Sequence, residues 1–324
     1  MQLRFIIAVL TFCLFAHRGI AQDAPEIRAL AEGVLTTIPL SAEDGETLTG
    51  PISLVEVVNG IPDLDWTPNY DPKTRTLIEK AKRVTLRRSI WELELSFKPM
   101  RMVEVDIPQP TGKMQRKRIW YLVYRVSNRG LARRPKAVAD EFGQETFGIE
   151  RVNFPTRRFF PHFVLESLEY NKAYMDRIIP SAQKLIQRRE NPGANIKLHN
   201  SIEMSQIPIP LSDERIERGV WGLATWEDID PRIDFFSVYV RGLTNAFKFV
   251  DPPGAYQAGQ APGSGRVFTH KTLQLNFWRP GDSVLEHEGE IRYGVPVDPD
   301  PNLQNHVLMM LGLPERLDHR WVYR

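Results

Sequence analysis

The stretch that decides the fold reads IWELELSF at residues 90–97, and a second stretch reads RIWYLVYRV at residues 118–126. In the first stretch apolar and polar side chains alternate, which is typical of a strand with one buried face. Its apolar face consists of Trp91, Leu93, Leu95 and Phe97. The second stretch is apolar on both faces, which indicates a strand in the middle of a sheet covered on both sides. We therefore expect the first stretch to share a core with Trp120, Leu122 and Tyr124.

The same reading of periodicity and turn residues predicts further strands and a few short helices. Strands are predicted at 52–58, 103–107, 158–165, 220–226, 235–250, 267–278, 290–295 and 320–323. Helices are predicted at 73–82, 181–190 and 303–311. The pattern at 119–128 resembles the immunoglobulin-like class. The chain is therefore predicted to be mainly β, an antiparallel, immunoglobulin-like β-sandwich architecture of one or two sandwiches with two or three short helices.

Residues 131–157 are polar and basic, and they predict a division of the chain. We interpret them as a basic linker or long loop between an N-terminal β-rich domain at 22–130 and a C-terminal β-rich domain with short helices at 158–324. The cations of this region include Arg133 and Arg134. Solvated side chains are the simpler interpretation of this charge, and contact with an anionic polymer is the alternative.

The first 21 residues have the layout of a secretory signal peptide. One cation precedes an apolar run at 5–16, and small residues lead up to a cleavage site after Ala21. The run is well short of the roughly 20 residues that span a bilayer. A retained anchor helix is the alternative. We expect an exported protein, periplasmic or extracellular, with no membrane span after the signal is removed.

Removal of residues 1–21 changes the charge and the thiol content. Arg4, Arg18 and the single cysteine, Cys13, lie in this segment, so the mature chain has 40 basic and 40 acidic residues and no thiol. A net charge of zero gives no global attraction for nucleic acid, and we predict no nucleic-acid partner. Disulfides, cysteine-ligated metals and cysteine nucleophiles are excluded.

The most distinctive polar stretch is WEDIDPRID at residues 226–234. Its carboxylates are Glu227, Asp228, Asp230 and Asp234. Oxygen-rich loops between strands are suited to calcium, which prefers several oxygen ligands, but the spacing does not match an EF-hand loop. The alternative is a tight structural turn, in which Asp side chains accept backbone N–H bonds and Arg232 neutralises a nearby carboxylate. We expect the structural turn.

A second acidic set, Glu286, Glu288 and Glu290, would share one face if extended, and paired acids serve glycoside hydrolysis. A solvated face is the simpler interpretation. The sequence lacks the motifs of serine hydrolases, zinc peptidases and phosphate-binding loops. We therefore predict no catalytic residue, no cofactor and no firm metal site.

Three stretches together resemble an uncharacterised family of exported bacterial proteins. They are DRIIP at 176–180, WEDIDPR at 226–232 and FWRPGD at 277–282. This resemblance implies export and no particular reaction. Our first hypothesis is a non-catalytic module that binds a protein or polysaccharide of the cell envelope or exterior. A carboxylate-dependent glycan hydrolase and a purely structural envelope protein are the alternatives.

Overall fold

The computed structural model describes residues 35–60, 72–139, 141–143, 145–190, 196–213, 216–280 and 290–324. The predicted signal segment 1–21 lies outside these ranges. In chain order the strands are β1 (Thr36–Ile38), β2 (Leu48–Ile52), β3 (Val84–Arg87), β4 (Glu94–Phe97), β5 (Arg101–Pro108), β6 (Met114–Ser127), β7 (Ala132–Ala139), β8 (Glu145–Val152), β9 (Thr156–Arg158), β10 (His162–Ser167), β11 (Lys172–Met175), β12 (Pro208–Pro210), β13 (Val220–Trp226), β14 (Phe235–Arg241), β15 (Phe247–Val250), β16 (Val267–Trp278), β17 (Arg292–Tyr293) and β18 (His319–Tyr323). The helices are α1 (Asp44–Thr47), α2 (Val55–Val58), α3 (Pro72–Ala81), α4 (Pro180–Glu190), α5 (Ser201–Gln206) and α6 (Pro301–Leu311).

Two antiparallel sheets form the body of the fold. The first contains β1, β4, β5, β6 and β13, with the long strand β6 at its centre. Strand β6 pairs with β5 and β4 along successive parts of its length, and it also pairs with β13. The second sheet has the order β11-β10-β14-β16-β15, and β17 and β18 also pair with β16. The predicted mainly β, antiparallel class is confirmed, whereas the immunoglobulin-like strand order stays a prediction.

The inner faces of the two sheets pack against each other as in a sandwich. Alternation along β6 points Trp120, Leu122 and Tyr124 into this core, where they meet Phe163 and Phe236 of the second sheet. The Trp120 and Phe236 rings meet edge to face at 5.3 Å between centroids, and Tyr124 lies 4.8 Å from Phe163. Leu93, Leu95 and Phe97 belong to the same core, with Trp91 packed against it. The core predicted from residues 90–97 is therefore confirmed.

Each sheet also buries part of its outer face. The odd-numbered residues of β6, such as Tyr121 and Val123, pack beneath Ala182 and Ile186 of α4. This cover explains why residues 118–126 are apolar on both faces. On the second sheet, Phe235 packs beside the cluster formed around α6.

The segment 131–157, predicted to be a basic linker or long loop, contains the β7–β8 hairpin. Two of its cations, Arg134 and Lys136, pair across the hairpin with Glu150. Basic composition alone does not distinguish a linker from a hairpin with cross-strand ion pairs. Segments 22–130 and 158–324, predicted as separate domains, share the first sheet through the pairing of β6 with β13.

Four predicted strands are wrong in their extent. The strand predicted at 158–165 is divided between β9 and β10, the strand predicted at 290–295 is reduced to β17, and those predicted at 235–250 and 52–58 also differ. The strand predicted at 235–250 is divided into β14 and β15, because Gly242 has a φ of 101°, and a side chain there would collide with the carbonyl of Phe160. The strand predicted at 52–58 ends at Ile52, and residues 55–58 form α2, where Glu56 pairs with Arg266 at 2.9 Å. Tertiary contacts override local β propensity at such short segments.

The predicted number of two or three short helices is too low. The three predicted helices correspond to α3, α4 and α6, and the described ranges also contain α1, α2 and α5, of four to six residues. One or two turns are too short to show a helical period in the sequence.

Candidate functional site

The acidic loop, residues 227–234, connects β13 to β14 and is attached to β6 by ion pairs. Lys117 Nζ lies 3.2 Å from Oε2 of Glu227 and 2.8 Å from Oδ2 of Asp228. The other oxygen of Glu227 pairs with Nη1 of Arg177 at 2.7 Å. The hydrogen bond to Asp228 is the main cause that raises the pKa of Lys117. The first half of the loop is thus fixed between the β5–β6 hairpin and the segment that precedes α4.

Asp230 is the buried centre of the acidic loop. Arg232 donates from Nε and Nη2 to its two oxygens at 3.0 and 2.8 Å, and Lys172 Nζ donates at 2.6 Å. The backbone N–H of Arg232 also donates to Asp230 at 3.1 Å. Hydrogen bonds from Arg232, and then from Lys172, hold the pKa of Asp230 well below its usual range. The predicted pairing of Arg232 with a nearby carboxylate is confirmed.

The calcium candidates Glu227, Asp228, Asp230 and Asp234 do not converge on one point. Across the ranges that the structure describes, no group of three or more His, Cys, Asp or Glu side chains could hold a metal ion. Lysine and arginine groups occupy the oxygens of Glu227, Asp228 and Asp230, and a hard cation would need those same oxygens. The contacts therefore favour the structural turn that the sequence analysis set against calcium binding.

The surface around the acidic loop is basic, although the loop sequence is acidic. In these ion pairs the cations are exposed to solvent, and the carboxylates lie beneath them. The exposed side-chain fractions are 64% for Arg177, 56% for Arg232 and 45% for Lys172, against 14% for Glu227 and 5% for Asp230. Asp228 is the exposed exception. Solvent therefore meets mainly positive charge on this part of the molecule.

A cleft of about 240 Å³ lies between the acidic loop and the β5–β6 hairpin. We call it the basic cleft, because four cations and one carboxylate, Asp228, line it. The cations are Arg116, Lys117, Arg118 and Arg279. Its apolar walls consist of Met102, Trp120, Ile229 and Pro231. The lining combines positive charge with apolar contact area.

The hairpin positions two of these cations through a carboxylate on the neighbouring strand. Glu104 of β5 accepts from Arg116 Nε at 2.6 Å and from Arg118 Nη2 at 3.0 Å. The hydrogen bond from Arg118 is the largest cause that lowers the pKa of Glu104. Both arginines lie on the same face of β6 as Trp120, so the alternation of the strand directs them toward the cleft.

Arg279 is the buried cation of the basic cleft, with only 3% of its surface exposed. Its Nη1 donates to the carbonyls of Pro231 and Ile233 at 2.9 and 3.2 Å, and its backbone N–H donates to the carbonyl of Asp234. Its guanidinium carbon lies 5.4 Å from the centre of the Trp120 ring. The acidic loop therefore holds this guanidinium in one position through its backbone.

The acidic loop is evident in the sequence, but most of the cations that surround it are not. Arg279 and Arg177 were visible only as parts of the stretches at 277–282 and 176–180, and Lys172 lay in no such stretch. Of the second acidic set, Glu286 and Glu288 lie outside the described residues. Glu290 is exposed beside Arg292. The contact between Arg279 and Trp120 joins residues that lie far apart in the chain, so no local sequence pattern indicates it.

Comparison of the chain with protein-family models, curated proteins and solved structures gave no match. In the part of the chain that the structure describes, no helix is both long and apolar enough to cross a membrane. The site is therefore interpreted from its own chemistry.

A second, smaller cavity of about 140 Å³ contains the buried carboxylate of Glu92 together with Arg133 and Arg151. Both oxygens of Glu92 accept the backbone N–H of Ser41, at 3.0 and 3.1 Å. Burial raises the pKa of Glu92 to about 6. Since the cavity is far smaller than ordinary ligand sites, this carboxylate acts as an attachment for residues 41–42.

The raised pKa of Glu92 predicts a pH dependence of stability. The folded state binds a proton that the unfolded state has lost, so this contribution is full below pH 4.5 and is lost as pH rises through about 6. The free energy of unfolding, relative to that of Glu92→Gln, should fall by about 2 kcal/mol across this interval. Urea unfolding of both proteins over this range measures it. A constant difference would show that Glu92 titrates normally.

Proposed function

We propose that this protein is a non-catalytic exported module whose basic cleft binds an acidic polysaccharide of the cell envelope or exterior. The single observation that carries the proposal is the lining of the cleft by four cations and one carboxylate. An enclosed set of cations attracts an anionic group more strongly than the same charges spread over a surface, because the low-dielectric walls focus the field.

The positions of the cations support binding of a carboxylate or sulfate group. Arg279 is fixed by two carbonyl oxygens, and Arg116 and Arg118 are fixed by Glu104. Fixed guanidinium groups lose little side-chain entropy on binding and match planar or tetrahedral anions geometrically. These groups are therefore suited to recognising an acidic substituent rather than a neutral sugar.

The size and walls of the cleft support a sugar-sized group. At about 240 Å³ the cleft lies just below the range of about 300–1,000 Å³ of sites for drug-sized ligands. The apolar walls, formed in part by Met102, Ile229 and Pro231, provide contact area for the carbon skeleton of a ring. One acidic sugar unit fits this combination.

We expect the protein to bind dextran sulfate and polygalacturonate but not uncharged dextran. Substituting Arg116→Gln should weaken binding about two- to fivefold, because one exposed charged contact contributes up to about 1 kcal/mol. Isothermal titration calorimetry with the three polymers measures both effects. The fold should be preserved, because Arg116 is largely exposed and Glu104 keeps its contact with Arg118.

The matched control is Arg134→Gln. Arg134 is also an exposed arginine on a hairpin, and its partner Glu150 likewise keeps a second cation, Lys136. This variant should bind as the unmodified protein does. If Arg116→Gln and Arg134→Gln weakened binding equally, binding would be assigned to general surface charge. If the unmodified protein bound neither anionic polymer, a purely structural envelope protein would be favoured.

A further inference from the structure

Resting on the proposed function, we infer that the ligand is an extended polyanion whose chain leaves the basic cleft and continues along three exposed cations beside the acidic loop. These cations, which we call the basic track, are Lys172, Arg177 and Arg232. In this arrangement the cleft binds one acidic sugar unit, and the track binds the neighbouring units of the same chain.

The track is continuous with the cleft on both sides of the acidic loop. Arg177 and Lys117, which lines the cleft, contact the same carboxylate, that of Glu227. Arg232 directly follows Pro231, which is a wall of the cleft. A linear ligand that leaves the cleft along either side of the acidic loop therefore passes close to further positive charge.

Buried carboxylates hold the track cations in place. Arg232 makes two hydrogen bonds to Asp230 and lies 4.9 Å over the ring of Tyr170, and Lys172 contacts the same carboxylate at 2.6 Å. Because the carboxylates are covered and the cations are exposed, the ion pairs fix the cations without removing positive charge from the surface. Fixed cations bind a polyanion with a smaller loss of side-chain entropy.

The shape of the site favours a polysaccharide over two other anionic partners. A flat anionic bilayer cannot reach Arg279, which lines the cleft and is only 3% exposed. Proteins bind single-stranded nucleic acid largely by stacking its bases on exposed aromatic faces, whereas Trp120 is buried and Arg232 lies over the Tyr170 ring. A flexible chain of acidic sugars can enter the recess and lie along the track.

A length series of oligogalacturonates tests the inference. We expect the affinity of the unmodified protein to rise at least about tenfold from the monomer to the octamer, because only the octamer reaches the track. The double variant Lys172→Gln/Arg177→Gln should lose this gain and bind the monomer normally. It should still fold, since Asp230 keeps Arg232 and Glu227 keeps Lys117. For octamer binding, the slope of log affinity against log salt concentration should be shallower by about 2 in the double variant than in the unmodified protein.

The control is Lys197→Gln/Arg134→Gln, which removes one exposed lysine and one exposed arginine from ion pairs elsewhere, and it should retain the full gain. Equal affinity for monomer and octamer would overturn the track while leaving the cleft proposal standing. Absence of binding at every length would overturn both. Tighter binding to phosphatidylglycerol vesicles, or to an oligonucleotide of equal charge, would overturn the assignment to a polysaccharide.

Discussion

Substituting Trp120→Ala is expected to lower the free energy of unfolding by about 3–5 kcal/mol, the usual loss for a large buried aromatic side chain. Trp120 is 3% exposed and lies between the two sheets, where its ring meets Phe236 at 5.3 Å. It also contacts the guanidinium of Arg279. The substitution therefore removes packing, an aromatic pair and a cation–π contact at one position.

Trp221→Ala is the matched control for this prediction. Trp221 lies on β13, the neighbouring strand, but it is only partly buried on the outer face, with Arg125 at 5.6 Å from its ring. Its loss should be clearly smaller than that of Trp120. Urea unfolding followed by far-ultraviolet circular dichroism measures both. A loss below about 1 kcal/mol at Trp120 would place this side chain outside the core.

The long strands could be predicted from the sequence because burial imposes a period on them. Residues 118–126 are apolar or aromatic at every position except Arg118 and Arg125, and β6 is indeed covered by the second sheet on one face and by α4 on the other. The division of 235–250 could not be predicted in this way, because apolar residues recur on both sides of the single glycine, Gly242, that follows the end of β14.

The candidate site was only half visible in the sequence. The acidic loop stood out because its carboxylates are neighbours in the chain, and the pair formed by Arg232 and Asp230 is local. The cations that reverse the sign of its surface come from far away, since Lys117 lies 110 residues before Glu227 and Lys172 lies 58 residues before Asp230. Composition gives the number of charged residues, but it does not show which carboxylates become buried beneath which cations.

The second large effect is expected at Lys271, which with Glu46 forms a buried ion pair at 2.7 Å. Lys271 Nζ also donates to the carbonyl of Ser41 at 2.8 Å, and Tyr323 donates its hydroxyl to Glu46 at 2.6 Å. Burial acts to raise the pKa of Glu46, but hydrogen bonds from Lys271 and Tyr323 outweigh it and hold this pKa lower than usual. The ion pair thus joins α1 to β16 inside the protein.

Lys271→Met should lower the free energy of unfolding by about 3–5 kcal/mol, because it leaves the Glu46 carboxylate buried without its cation. The loss should grow as pH rises. Without Lys271 the pKa values of Glu46 and Glu92 both increase, since this lysine lowers both. The folded variant then holds protons that its unfolded state releases, so stability present at low pH disappears as pH rises. Urea unfolding at about pH 5 and about pH 8 measures this difference.

The double variant Lys271→Met/Glu46→Gln separates loss of the ion pair from loss of packing. Replacing both charges leaves no buried ion, so most of the stability lost in Lys271→Met should return, as found when buried ion pairs are replaced by neutral groups. The glutamine keeps an acceptor for the hydroxyl of Tyr323. A double variant no more stable than Lys271→Met would instead assign the loss to the lysine's other contacts, the carbonyl of Ser41 and the ring of Trp321 at 5.3 Å.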